Sequence, residues 1–215
     1  MTLAFRPAPP VTLAIAGSPA RFPVHRVYCV GRNYADHAAE MGGDARREPP
    51  FFFMKPADAL TQAGLFPYPA ASADVHHEVE LVVALGDGAE IFGYAVGIDM
   101  TRRDRQAEAR KQGRPWDVAK GFDHSAPISE IHPATEIMRH GTITLDVNGV
   151  RRQSADVAQM IWPVDGIITE LRTLFALQPG DLIFTGTPAG VGAVKRGDTM
   201  VAAISGIATL TVAVL

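Results

Sequence analysis

The sequence predicts a mainly β fold with a few peripheral helices, an α+β class, and two observations carry that expectation. Short β-branched or aromatic runs recur along the chain and end at Gly, Asn or Pro, whereas helical spacing is clear in only three stretches. The 16 prolines and 20 glycines interrupt the chain too often for long helices. Val27–Val30, Leu81–Leu85, Ile143–Val147 and Leu182–Thr185 read as strands. Asn148-Gly149, set between two extended segments, marks a tight hairpin. Gly-Asp at 180–181 and at 197–198 each precede an apolar run, as turns entering strands do. Helices are expected at Tyr34 to Met41, at Arg102 to Gln112 and at Val157 to Leu174. In the last of these Ile161, Val164, Ile168, Leu171 and Leu174 recur three or four apart.

With 215 residues, 47% apolar and 20% charged, the chain fits one good-sized domain. No repeat of fixed period and no long linker divides it. Residues 1–22, rich in Pro and Ala, are expected to form an arm or first strand, and residues 23–215 a single domain. A net charge of −3 with both signs interspersed supplies no basic stripe, which argues against nucleic acid and anionic membrane as partners. No window approaches the roughly 18 apolar residues of a membrane span. Prolines break the apolar patch at the start of the chain, so no signal segment is expected there. The lone Cys29 makes no internal disulfide and no CxxC motif, consistent with a cytoplasmic protein in which it is a small buried hydrophobe. A small molecule is the expected partner.

Chemistry concentrates first in His76-His77-Glu78-Val79-Glu80-Leu81-Val82-Val83. Side chains alternate along a strand, so Glu78 and Glu80 share one face. If that face is buried, two adjacent carboxylates repel, and a proton or a cation must sit between them. If it is solvated, the pair is ordinary surface. Asp99 ends the apolar run Val96-Gly97-Ile98, where it either joins the two glutamates or caps the helix that follows. Three carboxylates together form an all-oxygen ligand set suited to Mg²⁺ or Mn²⁺. The segment is not an HExxH zinc motif, since no second histidine follows Glu78 at the required spacing.

His37 and Glu40, three apart on the expected helix, are neighbours on one face. The carboxylate there could orient the imidazole as a general base on water, or the two could form a plain surface contact. Lys120 is flanked by small and apolar residues, which suits an ammonium aimed into a site as well as one on the surface. Arg103 and Gln106 lie at helical spacing and could bind a carboxylate and a carbonyl oxygen, or face solvent. Thr185-Gly186-Thr187-Pro188-Ala189-Gly190-Val191-Gly192 is a glycine-rich loop able to offer backbone N–H groups to an anion, and it lacks the Gly-Lys-Ser/Thr ending of a P-loop.

Six fragments in order, Tyr28-Cys29-Val30-Gly31-Arg32-Asn33-Tyr34, Lys55-Pro56, His77-Glu78-Val79-Glu80, Asp99-Met100-Thr101-Arg102-Arg103-Asp104, Lys120-Gly121-Phe122 and Thr185-Gly186-Thr187-Pro188, resemble the fumarylacetoacetate hydrolase family over residues 23–215. Within it the chain is most similar to the short acylpyruvate hydrolases, and residues 49–59 to bacterial fumarylpyruvate hydrolases. The resemblance implies a mixed β-sandwich roll, a homodimer, and Mg²⁺ or Mn²⁺ on Glu78, Glu80 and Asp99. It implies His37 and Glu40 on a lid that activates water, Lys120 as a third catalytic group, and Arg32, Arg103, Gln106 and Thr187 as substrate-binding residues. The implied reaction is hydrolysis of a C–C bond in a 3-acylpyruvate, a small 2-oxo acid, with fumarylpyruvate the first choice. Oxaloacetate decarboxylation, dienoate isomerisation or tautomerisation, and silent metabolite binding are the alternatives on the same residues. The chain departs from the pattern between Glu80 and Asp99, where it has only Leu81 to Ile98 and relatives usually carry a longer insert. That shortening bears on the packing beside the acidic residues and on the dimer contact.

Overall fold

A computed structural model of the protein describes residues 3–36 and 50–215. Its central sheet has six strands, in the order His132–Pro133, β6 (Ile91–Ile98), β5 (Val79–Leu85), β9 (Leu182–Phe184), β3 (Val27–Gly31) and β4 (Phe51–Lys55). Neighbours run antiparallel except β9 and β3. The second sheet orders β8 (Val150–Asp156), β7 (Thr142–Val147), β10 (Thr199–Ile204), β11 (Ala208–Val214) and Leu65–Phe66, with its last pair parallel. Two packed mixed sheets with helices outside them make up the expected mainly β, α+β fold.

The apolar run of β5 follows from its place between two cores. Every residue of the strand is buried, because both faces are covered. Val79, Leu81, Val83 and Leu85 meet Ile143, Leu145, Met200 and Ala202 of the second sheet. Val82 and Ala84, on the other face, pack with Leu182, Phe184 and the apolar side of an N-terminal hairpin, β1 (Thr12–Ile15) against β2 (Ser18–Pro23). Truncating such a leucine to Ala costs roughly 2–5 kcal/mol. Gly97 of β6 is fixed by the same packing, since a Cβ there would stand 2.5 Å from the Phe184 ring. Cys29 is fully buried in β3.

Three helices are described: α1 (Arg103–Gln112), α2 (Asp117–Lys120) and α3 (Val164–Leu174). The helix expected from Val157 begins seven residues later. Pro163 stands at its N-cap, and Asp156 caps a single 3₁₀ turn over Val157–Gln159 through Ala158 N–H. Val157 and Met160 are buried all the same, so their spacing reports core contact and not one helix. Ala35 and Asp36 are helical, and the remainder of the helix expected there lies outside the described residues. The Asn148-Gly149 turn has both φ angles positive, 52° and 75°, as a two-residue hairpin turn of this hand requires.

The β5–β6 hairpin positions the acidic residues. Its register pairs Val79 with Ile98 and Glu80 with Gly97, and Asp99 N–H donates to the Glu78 carbonyl at 2.8 Å. The short connection, a 3₁₀ turn at Asp87–Ala89, lies at the opposite end, and the one register shift falls between Ala84 and Leu85.

Candidate metal centre and active site

Glu78 precedes β5, Glu80 lies in it and Asp99 follows β6, and the hairpin register brings them together. Each offers a carboxylate oxygen within 4.8 Å of the others, and the three are 5%, 2% and 0% exposed. This removes the solvated-face alternative for the glutamates. It also removes the capping alternative for Asp99, because α1 starts beyond Arg102, which is its N-cap.

Cations answer two of the three acids. Lys120, at the end of α2, stands between Glu78 Oε2 and Asp99 Oδ2 at 2.7 Å from each. Burial pushes its ammonium down, but Asp99 and Glu78 outweigh burial and hold it above its ordinary value. Lys55, fully enclosed at the end of β4, lies 2.8 Å from Asp99 Oδ1. Arg103 reaches Glu78 Oε1 at 2.6 Å. Glu80 has no ion pair with a basic side chain among the described residues. It accepts a hydrogen bond from Gly186 N–H at 2.8 Å. Burial, then the Asp99 and Glu78 carboxylates, push its carboxyl well above the usual range. A buried carboxylate without a cation is costly, and Asp99 Oδ1 accepts no aligned hydrogen bond despite its contact with Lys55. A divalent cation with oxygen preference fits this donor set.

The chamber in front of the acids has a volume of ≈ 30 Å³ and is lined by Arg32, Arg103, Gln106, Lys120 and Thr187, with Phe53 and Trp116 as an aromatic wall. Arg103 Nη1 donates to Gln106 Oε1 at 2.6 Å, which leaves the Gln106 amide nitrogen as the donor toward the chamber. Thr187 Oγ1 accepts from Gln153 Nε2 at 2.8 Å, so its own O–H remains to be donated. Gln153 is locked in turn, its Oε1 taking Val79 N–H at 3.1 Å and the His77 ring nitrogen Nδ1 at 3.0 Å. Burial lowers the His77 pKa, against the hydrogen bond with Gln153, which raises it. The glycine-rich loop does offer a backbone N–H, and its partner is the Glu80 carboxyl of the same chain. Gly186 has φ 97°, and a Cβ there would lie 2.7 Å from Asn33 Cβ.

The model of the fumarylacetoacetate (FAA) hydrolase C-terminal region matches residues 26–215. The chain belongs to the fumarylacetoacetate hydrolase family. It is 44% identical over 183 residues, 80% of this chain and 95% of the other, to a fumarylpyruvate hydrolase of a Ralstonia species. It is 40% identical over 199 residues to the oxaloacetate tautomerase YcgM of Escherichia coli, covering 86% of this chain and 90% of that one. Among solved structures, a fumarylpyruvate hydrolase from Pseudomonas aeruginosa in complex with Mn²⁺ and pyruvate superposes with a TM-score of 0.95. The two are 49% identical, over 100% of this chain and 99% of the other.

Within this family frame the structure brings together eight of the ten expected site residues: Glu78, Glu80, Asp99, Lys120, Arg32, Arg103, Gln106 and Thr187. His37 and Glu40 lie outside the described residues. Lys55 belongs to the site and was visible beforehand only as part of the Lys55-Pro56 fragment. Its Nζ also donates to the Lys120 carbonyl and to Ser125 Oγ at 3.0 Å. Gln153, too, carries no signal in its own stretch of sequence, because its partners lie 34 and 76 residues away.

Proposed function

We propose that this chain is a metal-dependent acylpyruvate hydrolase that uses Mg²⁺ or Mn²⁺ on Glu78, Glu80 and Asp99 to split fumarylpyruvate into fumarate and pyruvate. The carrying observation is Glu80, a buried carboxyl group with no ion pair to a basic side chain among the described residues, next to two more acids in a chamber whose other polar groups suit a 2-oxo acid. The bound cation would supply Lewis acidity toward the 2-oxo acid end.

Arg103 and the Gln106 amide hold the substrate carboxylate and 2-oxo oxygen, and Thr187 donates its hydroxyl to the same end. His37, oriented by Glu40, takes a proton from a water molecule whose oxygen adds to the distal carbonyl carbon. The bond between that carbon and the adjacent methylene then breaks. Fumarate departs with the new oxygen, and the electron pair passes to pyruvate enolate, which gains a proton at carbon. Lys120 stabilises the developing negative charge. Residues 23–215 would act as the catalytic domain, and the family resemblance adds a homodimer, which sedimentation analysis tests.

The 40% identity to an oxaloacetate tautomerase favours a second reading, in which the same enolate-stabilising groups act on oxaloacetate without an attacking water. Turnover of fumarylpyruvate, acetylpyruvate and oxaloacetate with Mn²⁺ or with chelator separates the two. The hydrolase requires Mn²⁺-dependent cleavage of fumarylpyruvate that falls at least 10²-fold, or about 2.7 kcal/mol, in His37→Ala. Undiminished cleavage in that variant removes His37 from the mechanism, and turnover of oxaloacetate alone selects the second reading.

A further inference from the structure

Gln153 is the buried residue of β8, whose other positions are exposed or half-buried. It pairs in register with Leu145 of the main core and turns inward beside it, where an apolar side chain would pack without the cost of burying an amide. Hydrogen bonds offset that cost. Besides its bonds with Val79, His77 and Thr187, the amide donates from Nε2 to the Pro188 carbonyl at 2.8 Å. Two acceptor positions and two donor protons are thereby all used.

Two of these partners are backbone groups of one polarity each. Val79 N–H can only donate and the Pro188 carbonyl can only accept, so the amide cannot be turned over. Its orientation decides two further protons. His77 must carry one on Nδ1, and Thr187 Oγ1, which receives one from Gln153, must direct its own elsewhere. Thr187 lines the inner chamber, whereas Gln153 does not. The amide also ties residues 77–79, which include Glu78, to the loop that carries Thr187.

We propose that Gln153 is a positioning residue that holds the Thr187 hydroxyl as a hydrogen-bond donor to the bound 2-oxo acid. This rests on the 2-oxo acid reading of the inner chamber and is independent of which bond is broken there. The role is one of polarity. A carboxylate at position 153 has no proton to give, so it would accept the Thr187 hydrogen and withdraw it from the chamber. An apolar side chain of similar length would leave that hydrogen unclaimed.

The test is calorimetry of pyruvate binding to Mn²⁺-loaded wild type, Gln153→Glu, Gln153→Met and Thr187→Val. Gln153→Glu should weaken binding roughly ten-fold, equivalent to about 1.4 kcal/mol, as Thr187→Val does, and Gln153→Met should weaken it less. A purely structural role predicts the reverse order, because Met loses all four hydrogen bonds and Glu keeps those from Val79 and His77. In the Thr187→Val background Gln153→Glu should add no more than about two-fold, since the donor is already gone. Repulsion of pyruvate by the new carboxylate would persist in that background. If Gln153→Glu does not fold, Gln153→Met carries the test, its loss vanishing in the Thr187→Val background. Undiminished binding in Gln153→Glu, the reverse order, or losses that add overturn the positioning role. A wild type that binds no pyruvate overturns the 2-oxo acid reading along with it, whereas one that binds pyruvate as described yet leaves fumarylpyruvate intact overturns the hydrolase reading alone.

Discussion

Replacing Lys55 with Met removes one charge from the floor of the site while keeping most of the side-chain volume. The Lys55 side chain is fully enclosed and meets Asp99 Oδ1 at 2.8 Å. Taking one partner from a buried ion pair costs about 3–5 kcal/mol, because the other charge remains behind. Two contacts place this variant at the lower end. Asp99 keeps Lys120 at 2.7 Å, and the Lys120 carbonyl keeps the Ser125 hydroxyl at 2.9 Å. A loss of about 3 kcal/mol follows, which for a chain of this size lowers Tm by roughly 6–12 °C. Urea unfolding with chelator present measures it. A loss under about 1 kcal/mol, the value of an exposed pair, would refute the argument. The double variant Lys55→Met/Asp99→Asn should recover part of the loss, since the Asp99 charge is no longer left behind and Lys120, which loses Asp99, keeps Glu78 at 2.7 Å.

Lys120→Met should tighten Mn²⁺ binding several-fold, because it removes the ammonium that competes for Glu78 and Asp99, while turnover falls roughly 10²-fold or more. Mn²⁺ titration followed by paramagnetic resonance reads the first effect, and weaker Mn²⁺ binding would contradict it. Glu80→Gln should raise Tm in chelator and abolish the added stability that Mn²⁺ confers on the wild type. The sign follows from burial, which lifts the folded-state pKa of Glu80 above its unfolded value. Its favourable contribution is present at low pH and lost as pH rises through the folded value, so the charged form opposes folding of the metal-free protein at neutral pH. Gln removes that charge and retains an oxygen for Gly186 N–H. A fall in Tm would oppose this account.

The period of a strand placed Glu78 and Glu80 on one face, and the end of an apolar run marked Asp99, but neither pattern could decide burial. That depends on Gly186, which reaches Glu80 from 106 residues further along the chain. Lys55 stood out only as part of the Lys55-Pro56 fragment, and its burial was illegible for the same reason. A lysine at a strand end is ordinarily expected to extend toward water, and only the return of Asp99 and Ser125 encloses it. The α3 boundary was missed because apolar spacing persists across Pro163, although a proline signals where the helix can begin. The glycine-rich loop was read as able to offer backbone N–H groups, and no local pattern signalled that one of them, Gly186 N–H, would meet the carboxyl of Glu80 in the same chain.

The short hairpin between Glu80 and Asp99 separates what sets its length from what sets its chemistry. Six residues at about 3.3 Å place Gly86 some 20 Å from Glu80 along the strand. Residues removed at the turn shorten the loop, and the irregularity between Ala84 and Leu85 ends before the ladder reaches Leu81. From Ala84 to Val79 the partners run in step, and at the open end Asp99 N–H still meets the Glu78 carbonyl. A one-residue slip at that end would turn Glu80 into the core now filled by Leu81 and Val83. The carboxylate geometry is therefore held by the paired strands, with Gly97 admitting the Phe184 ring, and the turn is free to vary without moving it.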